Sequence, residues 1–143
     1  MKKLLLVSLV WLVLSGLSFS QSTVKSGVVG ITWTQPVQTE ITGWNVSASK
    51  VQGSGYVPIS SVMYDPVSGV DVVWRDPRYP DLPAKEYKGI FTIPDAMIVK
   101  GKMERFYFVM TATWSDRESI PSNEIYFDVD LRTPAPPTIK CTN

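Results

Sequence analysis

Two pairs of acids in this chain have a spacing that chemistry could use. Asp116 and Glu118 are separated by one residue, and so are Asp128 and Asp130. Glycosidases work with two carboxylates, and a retaining enzyme holds them about 5–5.5 Å apart across the sugar, with one pKa raised by burial. Asp116 and Glu118 fall in a polar loop. Asp128 and Asp130 fall on one face of an alternating run. Neither setting makes a cleft, so both pairs are expected to be solvated surface. The dense D-x-D-x-D-G spacing of a calcium loop is missing as well.

Other reactive groups are scarce. The chain has no histidine. That removes the commonest general base, the Ser-His and Cys-His nucleophile pairs, and the usual zinc ligand sets. No G-x-S-x-G elbow and no Gly-rich phosphate cradle appear. We therefore expect no enzyme, no cofactor and no metal site. Asn45-Val46-Ser47 matches a glycosylation sequon, but Asn45 sits in an expected strand.

Trp, Tyr and Arg are the residue types that dominate binding hot spots, and they gather in two segments. One holds Trp74, Arg75, Arg78 and Tyr79. The other holds Trp114, Arg117 and the acids Asp116 and Glu118. These eight are the candidate partner-binding residues. The competing reading has the first segment fold over the domain, with Tyr79 and Tyr87 filling a gap in the core.

The elements that must position these residues read as strands. Val29, Ile31 and Trp33 share one face of a first run, and Trp44, Val46 and Ala48 share a face of the next. Gly53-Ser54-Gly55 has the composition of a hairpin turn. Tyr56 to Tyr64 reads as a third strand, Asp65 to Gly69 as a turn, and Val70 to Trp74 as a short strand. Residues 75–88 form a long Pro-rich insertion, because Pro77, Pro80 and Pro83 are incompatible with a central strand. Gly89 to Ile93 resumes β character, and Val99 to Lys102 turns. Phe106, Phe108, Met110 and Ala112 then alternate inward, a polar loop runs from Trp114 to Ser122, and Ile125, Phe127 and Val129 form the inner face of the last strand. Short strands punctuated by Gly, Pro, Asn and Asp make an all-β sandwich or barrel.

The ends of the chain bear on compartment. Lys2 and Lys3, an apolar run from Leu4 to Leu17, and small residues at Ser18 and Ser20 have the composition of a secretory signal peptide over 1–20. The run is shorter than the roughly 20 apolar residues of a spanning helix, so cleavage before Gln21 is expected rather than anchoring. The protein is then secreted or periplasmic, with no transmembrane span after cleavage. Of 14 basic residues, 12 remain against 13 acids, a balance unlike the basic footprint of a nucleic-acid binder. Cys141 is the only cysteine, so no disulfide can form within the chain. An odd cysteine in an exported protein is a candidate for an intermolecular disulfide; the plain alternative is an ordinary tail residue. Residues 132–143 form a Pro-rich tail.

Ile31-Thr32-Trp33-Thr34-Gln35-Pro36 followed by Ile41-Thr42-Gly43-Trp44-Asn45-Val46 resembles strands B and C of a fibronectin type III domain. The alternation from Phe106 to Ala112 is similar to that family's strand F, and Glu118 to Ile125 to its F–G loop and the start of strand G. The resemblance covers residues 28–131. It implies a single sandwich of about seven antiparallel strands, with the first tryptophan, Trp33, buried between two sheets. Residues 21–27 leave room only for a short or reduced strand A. The family's tyrosine at the start of strand F is replaced by Phe106, which leaves Tyr107 as the nearest hydroxyl. Such domains are spacers and binding modules. The expected function is thus an exported, non-enzymatic binding or adhesion module that meets a protein or glycan partner through its loops. The alternative is a structural or assembly subunit that self-associates through an exposed sheet edge. A small hydrolase is the third and least supported class.

Overall fold

The computed structural model describes residues 22–65 and 67–134. The segment 1–20, Cys141 and the tail beyond residue 134 lie outside the described residues. The described chain is an all-β domain of two sheets. Its strands are β1 (Ser22–Val24), β2 (Val28–Pro36), β3 (Gly43–Ser49), β4 (Val57–Met63), β5 (Val70–Val72), β6 (Ala84–Thr92), β7 (Met103–Thr113) and β8 (Ile125–Asp130). One sheet has the order β1-β8-β7-β3-β4 and the other β2-β6-β5.

The alternating runs became strands because one face of each is apolar and needs a partner sheet. Val29 and Ile31 of β2, Trp44, Val46 and Ala48 of β3, and Phe106, Phe108, Met110 and Ala112 of β7 meet in one core with Tyr87, Phe91 and Val129. Trp44 is buried at its centre. Trp33, expected in that place, is instead half-buried against the core. The hairpin between β3 and β4 turns on Gly53 and Gly55, whose φ values of 73° and 70° favour glycine. Pro58 is tolerated in β4 because that strand is an edge.

Four features differ from the sequence reading. The strands number eight among the described residues, and β1 pairs parallel to β8. The run at Val70 stops at Val72, short of Trp74. The insertion expected over 75–88 ends at Pro83, because Ala84 to Lys88 belong to β6. β6 is the middle strand of its sheet, and Tyr87 on it is core. Gly89 makes this packing possible, since a Cβ there would sit 2.6 Å from the Phe91 ring and 3.2 Å from Trp33. Finally, Asp128 and Asp130 are buried, not solvated, at 3% and 5% exposure. Asp128 lies directly opposite Arg105 across the β7–β8 pair, and the two join through bonds of 2.7 and 3.0 Å. Asp130 takes Lys25 at 2.5 Å and Arg132 at 2.8 Å.

On one side of the sandwich the edge strand β2 faces the β1–β8 end of the other sheet, and the two leave a seam between β2 and β8. In immunoglobulin-type sandwiches the first strand lies beside the second. Here β1 crosses to the other sheet and pairs only with Phe127–Val129, so nothing lies beside β2 among the described residues. β1 covers one end of the seam beside Phe127–Val129, and the other end, toward Ile125 and Pro36, is open.

Candidate functional site

The open end of the seam is a groove of about 1210 Å³. Its floor comes from the core itself, with Ile31, Trp33, Trp44, Phe108 and Met110 among the lining side chains. One wall is β2 from Ile31 to Pro36, and the opposite wall is Ser119–Ile125.

The backbone of β2 explains why this wall is unfinished. The Val37 amide donates to the Pro83 carbonyl at 2.7 Å, and the Ile93 amide to the Gly27 carbonyl at 2.8 Å. Those bonds and the register fix which residues face β6: the odd-numbered ones from Gly27 to Val37. The backbone groups of Gly30, Thr32 and Thr34 consequently point out from the sheet, along an edge with no neighbouring strand. Edge strands are normally short, proline-bearing or covered. β5 and β1 are short and β4 carries Pro58, whereas β2 runs nine residues with its proline, Pro36, only at the last.

The opposite wall is held to β7 by serines rather than by a regular ladder. The Ala112 amide donates to Ser119 Oγ and the Met110 amide to Ser122 Oγ, both at 2.9 Å. The Ser119 and Ser122 amides return bonds to the Ala112 and Met110 carbonyls. Glu118 anchors the start of this segment by accepting from Asn45 Nδ2 at 2.7 Å and Thr111 Oγ1 at 2.8 Å. The sequon residue Asn45 is thereby engaged in the sheet.

Six of the eight candidate binding residues line this one groove: Trp74, Arg78, Tyr79, Trp114, Arg117 and Glu118. Two loops separated by some forty positions in sequence thus share a rim. Trp74 and Tyr79 stay exposed at 48% and 44%, so Tyr79 does not fill the core as Tyr87 does. Arg78 is held in a fork by buried Asp76, with bonds of 3.0 and 2.7 Å, and its guanidinium lies 6.0 Å from the Tyr79 ring. The Arg78 side chain also keeps the Asp76 carboxyl below the usual carboxylate range. Arg117 sits over Trp114, 5.6 Å from its ring. The structure does not bring Arg75 or Asp116 to the groove lining. Arg75 instead donates to the Val72, Val73 and Trp74 carbonyls and ties off the end of β5.

Two residues that the sequence reading had assigned to the core, Trp33 and Trp44, also line this groove. Trp33 lines the groove, and its Nε1–H is buried without an acceptor among the described residues. Trp44 has its Nε1–H satisfied by Gln35 Oε1 at 3.2 Å. Tyr87, stacked on Trp33 at 5.8 Å, has its hydroxyl pKa pushed up to about 12 by burial and by the neighbouring Tyr64 hydroxyl. Alternation gave Trp33 and Trp44 their face but not their position along the seam.

Asp128 and Asp130 are engaged by cations on the face of β8 away from the core, and Glu118 accepts two hydrogen bonds as a brace. Among the described residues no cluster of three or more His, Cys, Asp or Glu side chains is arranged to hold a metal ion. No protein-family model matches the chain, and no curated protein matches it.

Proposed function

We propose that this protein is an exported, non-enzymatic recognition module, fibronectin type III-like in its β2–β3 and β7–β8 halves, which takes a protein partner in the groove at the open end of its seam. One observation carries the reading: the 74–79 and 114–118 segments converge on a single groove floored by core aromatics. Exposed Trp, Tyr and Arg around a desolvated floor are the composition of a binding hot spot. A volume above the roughly 300–1,000 Å³ of a small-molecule pocket favours an extended occupant. Export rests on the composition of residues 1–20, and the reading as a non-enzyme on the missing histidine and nucleophile motifs.

The test is capture from the native envelope with wild-type protein and with Trp74→Ala and Tyr79→Ala. The wild type is expected to retain a specific partner that both variants lose while unfolding at the wild-type urea concentration. Equal capture by all three would remove the groove as the site.

A further inference from the structure

We infer that the groove takes an extended segment of the protein partner as a strand antiparallel to β2, with a basic residue opposite Thr34, an apolar one opposite Trp33 and an acidic one opposite Thr32. This rests on the reading of the groove as a docking site for a protein and names the sequence pattern it selects.

The edge supplies the backbone part of the match. Thr32 and Thr34 both line the groove, and their backbone groups point away from β6. An antiparallel strand beside them exchanges two hydrogen bonds with each. Extended peptides add to open sheet edges in this way, and side-chain pockets then set which peptide is chosen. The residue between those two pairs turns its side chain inward, beside Trp33 and toward the floor of Ile31 and Met110, so an apolar side chain fits there.

The neighbouring strand supplies the charge pattern. In the β2–β6 register Thr34 lies opposite Glu86, and Thr32 opposite Lys88. These four side chains share the face of the sheet away from the core, since Ile31, Trp33, Tyr87 and Phe91 take the other. Neither Glu86 nor Lys88 makes an ion pair among the described residues. An outward side chain on the added strand starts two strand spacings from β6, roughly 10 Å, with only a short threonine between. A lysine or arginine opposite Thr34 therefore reaches Glu86, and an aspartate or glutamate opposite Thr32 reaches Lys88. The other charges of the groove are placed elsewhere. Arg78 is forked to Asp76, Arg117 lies over Trp114 on the other loop, and Glu40 follows the end of β2. An antiparallel occupant thus reads basic-apolar-acidic from its own N-terminus. Charge pairs of this kind fix register and direction more than affinity.

The test uses the chain from Gln21 to Asn143, which keeps all eight strands. Its probes are two end-capped synthetic peptides, Thr-Val-Lys-Ile-Glu-Val-Thr and the charge-swapped Thr-Val-Glu-Ile-Lys-Val-Thr. At low salt the first should bind saturably, read from tryptophan fluorescence, and the second at least about threefold more weakly. The double variant Glu86→Lys with Lys88→Glu should reverse that preference, and added salt should narrow it. Thr32→Pro, on an edge that tolerates proline, should weaken both peptides at least about tenfold while unfolding near the wild-type urea concentration. Equal binding of the two peptides, preference for the swapped one, or a preference that the double variant leaves unchanged would overturn the proposal. Absence of binding by either peptide would reject this occupant and leave the capture test with Trp74→Ala and Tyr79→Ala to decide the groove separately.

Discussion

The closed and open ends of the β2–β8 seam are made from the same two strands and obey different rules. At the closed end, β1 covers Phe127–Val129, and Asp128 and Asp130 each have cationic partners. At the open end, β2 has no paired strand on its outer edge among the described residues, half-buried Trp33 lines the groove, and its buried Nε1–H has no acceptor among the described residues. A buried donor left unpaired costs about 1–3 kcal/mol. The domain therefore spends stability at one end that it conserves at the other. That asymmetry distinguishes a site from a core, and it yields predictions that grade the two ends by cost.

The largest effect belongs to the core that both ends share. Phe106→Ala should cost about 3–5 kcal/mol, as truncation of a fully buried aromatic does. Domain stabilities run at roughly 5–15 kcal/mol, so the variant should unfold at a much lower urea concentration. An unchanged urea midpoint would mean that the sandwich is not built on the β7 face.

Acid should act on the closed end. Hydrogen bonds from Arg132, then from Lys25, hold the Asp130 carboxyl well below the usual carboxylate range. A folded-state pKa below the unfolded one gives stability that is present above the unfolded value, about 4, and is lost as pH falls toward the folded one. Asp130→Asn should therefore be less stable than wild type at pH 7, with the gap narrowing as pH falls below about 4. A constant gap across that range, in urea titrations at several pH values, would show that the carboxylate's charge is not what stabilises the end of β8.

The two tryptophans compare the ends directly. Trp44→Phe deletes a ring donor that Gln35 satisfies, and Trp33→Phe deletes one with no acceptor among the described residues. Losing a made hydrogen bond costs about 1 kcal/mol, whereas losing an unmade one removes a penalty. Trp33→Phe should consequently cost less than Trp44→Phe by about 1 kcal/mol or more in urea unfolding. The reverse order would mean that Trp33 is the better-satisfied residue and that the open end is not strained.

How much of this was legible in the sequence follows from what each residue depends on. Alternation placed Val29, Trp44, Phe106 and Phe108 inward because a strand's faces are set locally. It also set Asp128 and Asp130 on the face away from the core, which is the correct parity. Their burial was not legible, since the covering Arg105, Lys25 and Arg132 side chains arrive by strand register and by the path of β1. Ala84 to Lys88 lacked any strand signal. Ala-Lys-Glu-Tyr-Lys has weak β propensity, and tertiary pairing with β2 overrode it. The residue types at Trp74, Arg78, Tyr79, Trp114 and Arg117 flagged a site. Their convergence depended on which end of the sandwich each loop leaves, and only topology decides that.

The smallest expected effect is the sharpest test of the contrast. Trp74 and Tyr79 are large aromatics on a loop rich in proline, and such residues often close over a core. Their exposures of 48% and 44% place them on the rim instead, with no hydrogen bond assigned to either side chain among the described residues. Arg78 is fastened to Asp76, not to the core, so the loop holds its shape through its own polar contacts. The backbone bonds from the Tyr79 amide to the Asp76 carbonyl and from the Leu82 amide to the Tyr79 carbonyl do the same. Truncating either aromatic removes neither a core contact nor a fastening. Trp74→Ala and Tyr79→Ala should each change unfolding stability by no more than about 0.5 kcal/mol, as surface substitutions do. A loss of about 2 kcal/mol or more at either position would place that ring in the core and turn the open end into a second closed one.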